Sequence, residues 1–230
     1  MDRPFVFVNM AMTVDGKITS ARREYPRFTS AYDRESMDRL RAEADAVLLG
    51  ARTLRADNPA LDVRSEKMRD YRRSLGKPDA LHRIVVSTTL EIDPASRFFG
   101  DAPGDRIIAT VADAPPERHA ALARLAEIWQ LGHGRVDLGA LLFRLKQRGI
   151  DRLLVEGGGE LNWALLRDDL IDELYVTIAP CLLGGREAPT LLGGEGLSMA
   201  RQRRLRLVEL RREGDELYGR WAVEREPGAA

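Results

Sequence analysis

Leu153-Leu154-Val155-Glu156-Gly157-Gly158-Gly159-Glu160-Leu161-Asn162 carries a short apolar strand straight into three glycines and then into a helix. Glycines at such a turn let main-chain N–H groups approach a phosphate closely, and the helix start adds its partial positive charge. The pattern is not the dinucleotide G-x-G-x-x-G, because Glu160 stands fourth and Asn162 fills the last place. Nor is it a P-loop, since no Lys-Ser/Thr pair follows. Two readings stay open: a tight strand-to-helix turn, or a cradle for an anion or cofactor. Glu156 stands at the carboxyl end of the strand, where ligands bind in open α/β sheets. It could equally cap the helix after the glycines.

Working outward, strand and helix signals alternate. Phe5 to Val8 is a buried strand by composition, with a turn at Asp15-Gly16 just after it. Ser30 and Asp33 make a capping-box signature for a helix through Ala44. Ala46 to Gly50, Arg83 to Ser87 and Arg106 to Thr110 read as strands, and Pro115-Pro116 opens a helix over Glu117 to Leu125. Leu138, Leu141, Leu142 and Leu145 recur at helical spacing, with Gly149 as the stop. A helix over Leu161 to Leu166 and a strand over Leu174 to Ile178 follow. Leu205 to Leu210 and Leu217 to Val223 flank Glu213-Gly214-Asp215 as a hairpin. Arg64 to Pro78 reads as a polar surface excursion. These signals predict a single α/β domain over 1–230, with a mostly parallel central sheet, an antiparallel C-terminal hairpin and helices on both faces.

Composition bounds the function. The 230 residues balance 36 basic against 36 acidic side chains, so no overall field attracts nucleic acid or an anionic membrane. Any anion site must be built locally. Cys181 is the single cysteine, and only three histidines are present (His82, His119, His133), so neither a disulfide framework nor a metal centre is expected. The apolar run Phe5 to Met12 is short and broken by Asn9, which does not suit a signal peptide. A cytoplasmic setting is the expectation, with no nucleic acid and no membrane as partner.

Three further stretches complete the pattern. Thr13-Val14-Asp15-Gly16-Lys17-Ile18 leaves the first strand. Leu54-Arg55-Ala56-Asp57-Asn58-Pro59-Ala60-Leu61-Asp62-Val63-Arg64 follows the strand ending at Gly50. Ala179-Pro180 leads through a loop to Gly184-Gly185. Together with Val155-Glu156-Gly157-Gly158, they resemble the reductase domain of riboflavin biosynthesis, which has the dihydrofolate reductase-like fold. The zinc deaminase that precedes this domain in the bifunctional bacterial enzymes needs a Pro-Cys-x-x-Cys, and one cysteine cannot supply it. The chain therefore looks like the stand-alone pyrimidine reductase.

The resemblance implies NADPH-dependent reduction of a ribosylaminopyrimidine 5′-phosphate, deaminated or not, to its ribitylamino form, with hydride arriving at C1′ of the sugar. It implies cofactor contacts at Ala11, Thr53, Asp57, Ser87, Gly157, Gly158, Gly159, Glu160, Leu161 and Asn162. Substrate contacts fall on Arg41, Leu61, Arg64 and Glu156, and Asp57 takes the catalytic position. It also implies a homodimer. The chain departs from the bacterial domains at Tyr25-Pro26-Arg27, where those carry a Ser-x-Trp.

Other readings of the same residues stand beside these. Arg41 borders the apolar face of its helix, and a guanidinium fork suits phosphate, yet 32 arginines against four lysines make surface arginines common. Asp57 could be a helix stop, Ser87 a strand end, Cys181 packing. Arg201 to Arg206 reads as a solvated strand face. At the level of function, another reductase of the same fold, acting on dihydrofolate or a pterin, and a nucleotide-binding sensor without catalysis are the competing readings.

Overall fold

Within the computed structural model, residues 2–24 and 28–224 are described; Tyr25-Pro26-Arg27 lies outside them. The chain runs β1 (Phe5–Thr13), α1 (Ala31–Glu43), β2 (Ala46–Gly50), α2 (Ala51–Asp57), α3 (Glu66–Ser74), β3 (His82–Val86), β4 (Arg106–Thr110), α4 (Pro116–Leu122), β5 (Glu127–Gln130), α5 (Leu138–Gln147), β6 (Arg152–Val155), α6 (Gly159–Arg167), β7 (Glu173–Ala179), β8 (Leu205–Glu213) and β9 (Glu216–Val223). Among residues 38–154 the strand order is β5-β4-β3-β2-β6, parallel from β5 to β2; among the remaining strands it is β1-β7-β9-β8, with β1 and β7 parallel and β7-β9-β8 antiparallel.

The chain divides into two compact units. One comprises residues 38–154 with 2–4. Its strands β2, β3 and β4 are buried almost throughout, as parallel strands covered on both faces must be. Helix α5 is capped by Asp137, whose carboxylate accepts from the Ala140 N–H at 2.9 Å. It buries Leu138, Leu141, Leu142 and Leu145, each contributing about 1.5–3 kcal/mol of hydrophobic burial.

The other unit comprises residues 5–37 and the chain from Val155 onward. Parallel β1 and β7 lie in register from Phe7 opposite Glu173 to Thr13 opposite Ala179. Ser30 Oγ accepts from the Asp33 N–H at 3.3 Å, as the capping signature predicts for α1. The hairpin of β8 and β9 turns at Gly214, whose φ of 61° favours glycine.

Two elements depart from the sequence reading. Residues 66–74, expected as surface excursion, form helix α3. Its single buried apolar residue is Met68, and its anchor is a buried arginine. Arg72 is 1% exposed and donates to the carbonyls of Arg41, Ala42, Ala44, Pro78 and Ala80, satisfying the orphan acceptors at the α1 end. Strand β5 was also not anticipated. It rests on buried Trp129, over which the Arg144 guanidinium stacks at 4.2 Å.

Candidate functional site

The glycine turn is built by close backbone packing. Gly157 has φ 84°, and a Cβ there would stand 2.7 Å from Met10 Sδ. A Cβ on Gly159 would lie 2.5 Å from the Thr190 carbonyl oxygen, and the Gly159 carbonyl accepts from the Gly193 N–H at 2.9 Å. Gly158 is different: its φ of −81° is open to any residue. It is the N-cap of α6 and offers no side chain to the first-turn amides. The peptide bond between Gly157 and Gly158 is cis.

Behind the turn, Asn162 is fully buried. Its Nδ2 donates to the Leu191 carbonyl at 2.9 Å, while Oδ1 has no partner among the described residues. An uncapped helix start beside an orphaned buried acceptor fits a phosphate-bearing, donor-rich cofactor. Glu160 is exposed, and its Oε1 accepts weakly from the Gly194 N–H at 3.4 Å; Leu161 is buried in the packing face of α6. Ala11 pairs with Thr177 in the β1–β7 ladder, and Glu156, half-buried, directly follows β6.

Thr13 and Asp15, where the chain leaves β1, hold each other and a neighbouring loop. The Thr13 hydroxyl donates to Asp15 Oδ1 at 2.6 Å, and the carboxylate accepts from the N–H groups of Leu183 (3.2 Å) and Gly184 (2.7 Å). The Thr13 bond first, then the amides, lowers the Asp15 pKa to about 2.

In the 38–154 unit, the helix stop after α2 is Asn58, not Asp57. Asn58 takes the left-handed conformation (φ 42°), its N–H donates to the Leu54 carbonyl, and its Oδ1 accepts from Ser96 Oγ and the Arg97 N–H, all at 2.9 Å. The Asp57 carboxylate makes no hydrogen bond or ion pair among the described residues, and burial pushes its pKa up. A half-buried carboxyl without structural duty suits proton transfer. Thr53 sits half-buried within α2. Ser87 is buried directly after β3, where its hydroxyl accepts from the Leu90 N–H at 3.0 Å.

The residues of this unit expected to meet substrate divide by exposure. Arg41 is 3% exposed and donates to the Asp62 carbonyl at 3.0 Å; Leu61 is fully buried with φ 55°. Arg64 keeps a side chain 46% exposed. Sequence reasoning missed Asp38, buried within α1, whose carboxylate accepts from the Arg64 and Ser65 N–H groups at 2.8 Å each. No motif marks it, because its partners lie some 26 residues away in the chain.

The strand order and the glycine-led start of α6 define the class first: an α/β protein of the dihydrofolate reductase-like fold. Dihydrofolate reductase from Enterococcus faecalis shares that fold at a TM-score of 0.51 and 10% identity, with 96% of this chain and 97% of that one covered. The chain belongs to the RibD C-terminal domain family, which matches residues 4–218. It is 39% identical over 222 residues to the 2,5-diamino-6-ribosylamino-4(3H)-pyrimidinone 5′-phosphate reductase of Methanothermobacter thermautotrophicus, covering 96% of this chain and 99% of that protein. A pyrimidine reductase-like protein from Corynebacterium diphtheriae superposes with a TM-score of 0.83 at 22% identity, covering 98% of this chain and 94% of that one.

Proposed function

We propose that the chain reduces a 2,5-diamino-6-ribosylaminopyrimidinone 5′-phosphate to its ribitylamino form, with NADPH as cofactor. The relative from Methanothermobacter carries that reductase name across nearly its whole length. The observation that carries the reading within this chain is the uncapped glycine start of α6, beside the orphaned Asn162 Oδ1. NADPH, when bound, supplies the hydride; the protein must hold donor and acceptor in line and exclude water.

The division of labour follows the chemistry of the side chains. Gly157, Gly158 and Gly159 bring main-chain N–H groups to the cofactor phosphates, with Glu160, Leu161 and Asn162 fixing the first turn behind them. Ala11, Thr53 and Ser87 complete the cofactor contacts. Glu156 accepts from the amino groups of the pyrimidine. Arg64 meets the sugar phosphate with its charged fork, while Arg41 and Leu61 shape the segment that carries it. Asp57, retaining its proton above the usual carboxylate range, delivers it to the sugar oxygen as the ring opens.

A second copy of the chain is the proposed partner. Supporting this, edge strand β8 exposes Leu205, Leu207, Val208 and Leu210, a row of apolar side chains unusual on a lone subunit. The cytoplasm, where phosphorylated metabolites and NADPH are held, is the setting this reaction requires. No helix among the described residues is long and apolar enough to cross a membrane.

The test is product analysis after incubation with NADPH and, separately, NADH, using the diaminopyrimidine phosphate and its deaminated counterpart. The expected product is two hydrogens heavier than the substrate, formed fastest with NADPH and the diamino compound. Recovery of unchanged substrate in every arm would remove the proposal.

A further inference from the structure

Leu61 to Ser65 has no regular secondary structure, yet three side chains fix its backbone at successive groups. Arg41 donates to the Asp62 carbonyl (3.0 Å), and Arg69 donates to the carbonyls of Val63 (3.1 Å) and Arg64 (2.9 Å). Asp38 divides its two carboxylate oxygens between the Arg64 and Ser65 N–H groups, at 2.8 Å each. Leu61 plugs one end into the core with no exposed surface. Out of this pinned backbone the Arg64 side chain projects 46% exposed, its Nε 3.9 Å from Asp38 Oδ1. A rigid mount beneath an exposed charged head is the arrangement that a specific charge contact requires, because a flexible mount would have to be ordered at each binding event.

We propose that Asp38 is a positioning residue for substrate recognition, acting through Arg64; this rests on the functional reading above. A carboxylate is the only side-chain group that accepts two neighbouring N–H bonds, one on each oxygen, without offering a competing donor. At 3% exposure it does so away from solvent, and it faces the Arg64 guanidinium from below. Asparagine at this position keeps one acceptor and turns an NH₂ group against a backbone N–H, so the mount loosens while the helix remains. The purely structural alternative is that Asp38 only serves the start of α3, where the N-cap Ser65 contributes no side-chain bond.

The experiment is a double-mutant cycle on the full chain, with initial rates against the phosphorylated substrate and cofactor affinity measured by titration. Asp38→Asn is expected to raise KM about tenfold, with kcat within about twofold and NADPH affinity unchanged. In an Arg64→Ala background the same change is expected to alter KM by less than about twofold, because the group it positions is gone. Should Asp38→Asn melt below the assay temperature, Asp38→Ser, whose hydroxyl accepts one of the two bonds, enters the same cycle. A KM effect that persists undiminished in the Arg64→Ala background overturns the proposal, as does a drop in melting temperature with KM unmoved. An Arg64→Ala enzyme with unchanged KM overturns it too. Failure of the functional reading looks different: the unmutated chain then reduces no phosphorylated pyrimidine at all.

Discussion

The glycine turn at Gly157–Gly159 and the Leu61–Ser65 segment present polar groups by opposite means. The turn holds its shape because two of its glycines are walled in by Met10 and by the Thr190 backbone. What it offers is main chain. The Leu61–Ser65 segment holds its shape because Asp38, Arg41 and Arg69 satisfy its backbone from outside. What it offers is one side chain, Arg64. The first arrangement suits a ligand recognised by close amide approach; the second suits one recognised by a charged fork on a fixed base. Substitutions should therefore fail differently in the two regions.

The largest effect belongs to the walled glycines. Gly159→Val drives a Cβ into the Thr190 carbonyl, a backbone atom that cannot swing away. Overpacking of this kind costs on the order of 1–3 kcal/mol, and denaturant melts should show it without ligand present. A melt indistinguishable from the parent would break the claim that packing sets the turn. Asp57→Asn comes next. With no structural bond to lose, it should leave stability nearly intact while lowering kcat about a hundredfold. Because burial raises the Asp57 pKa, the parent's kcat should fall on the alkaline side as this proton leaves, and the Asn variant should lack that limb. A pH–rate profile of unchanged shape would relieve Asp57 of its role.

Arg64→Ala should lower kcat/KM about ten- to a hundredfold with the phosphorylated substrate, in line with about 1.5–3 kcal/mol for a charge-assisted bond. The dephosphorylated compound should be scarcely affected. Gly158→Val sharpens the comparison from the other side. Its backbone angle tolerates a side chain, so the fold should survive while NADPH affinity drops about tenfold, roughly 1.4 kcal/mol. Calorimetry would read this directly. The smallest effect is at Asp15, whose pKa lies at about 2. Its depressed value means the tie to Leu183 and Gly184 is complete above the usual carboxylate pKa and is lost as pH falls toward 2. Asp15→Asn should abolish that acid-side change, seen as faster amide exchange at Gly184.

Much of this is legible in the amino-acid sequence. Strands β2 and β4 are legible as short unbroken apolar runs, and helix α5 by apolar residues at helical spacing. The glycine turn is legible because three consecutive glycines between an apolar strand and a helix mark a place where the backbone takes conformations, and approaches neighbours, that side chains would forbid. Helix α3 is not, since a buried arginine does the work that leucines do in α5. A sequence pattern cannot tell Arg72 from its exposed neighbour Arg73. In the candidate site, Asn58 rather than Asp57 stops α2, a distinction that rests on a left-handed φ invisible to composition. Asp38 was hidden for the same reason that Arg41 was ambiguous: both act on main-chain groups of a distant segment, and long-range hydrogen bonds leave no local signature.

One rate comparison tests the phosphate-dependent reduction most directly. NADPH oxidation by the purified chain is followed with the phosphorylated ribosylaminopyrimidine, its dephosphorylated form and dihydrofolate. The account predicts turnover with the first, a kcat/KM lower by about tenfold or more with the second, and none with the third. Equal rates with and without the phosphate, or turnover of dihydrofolate alone, would contradict it.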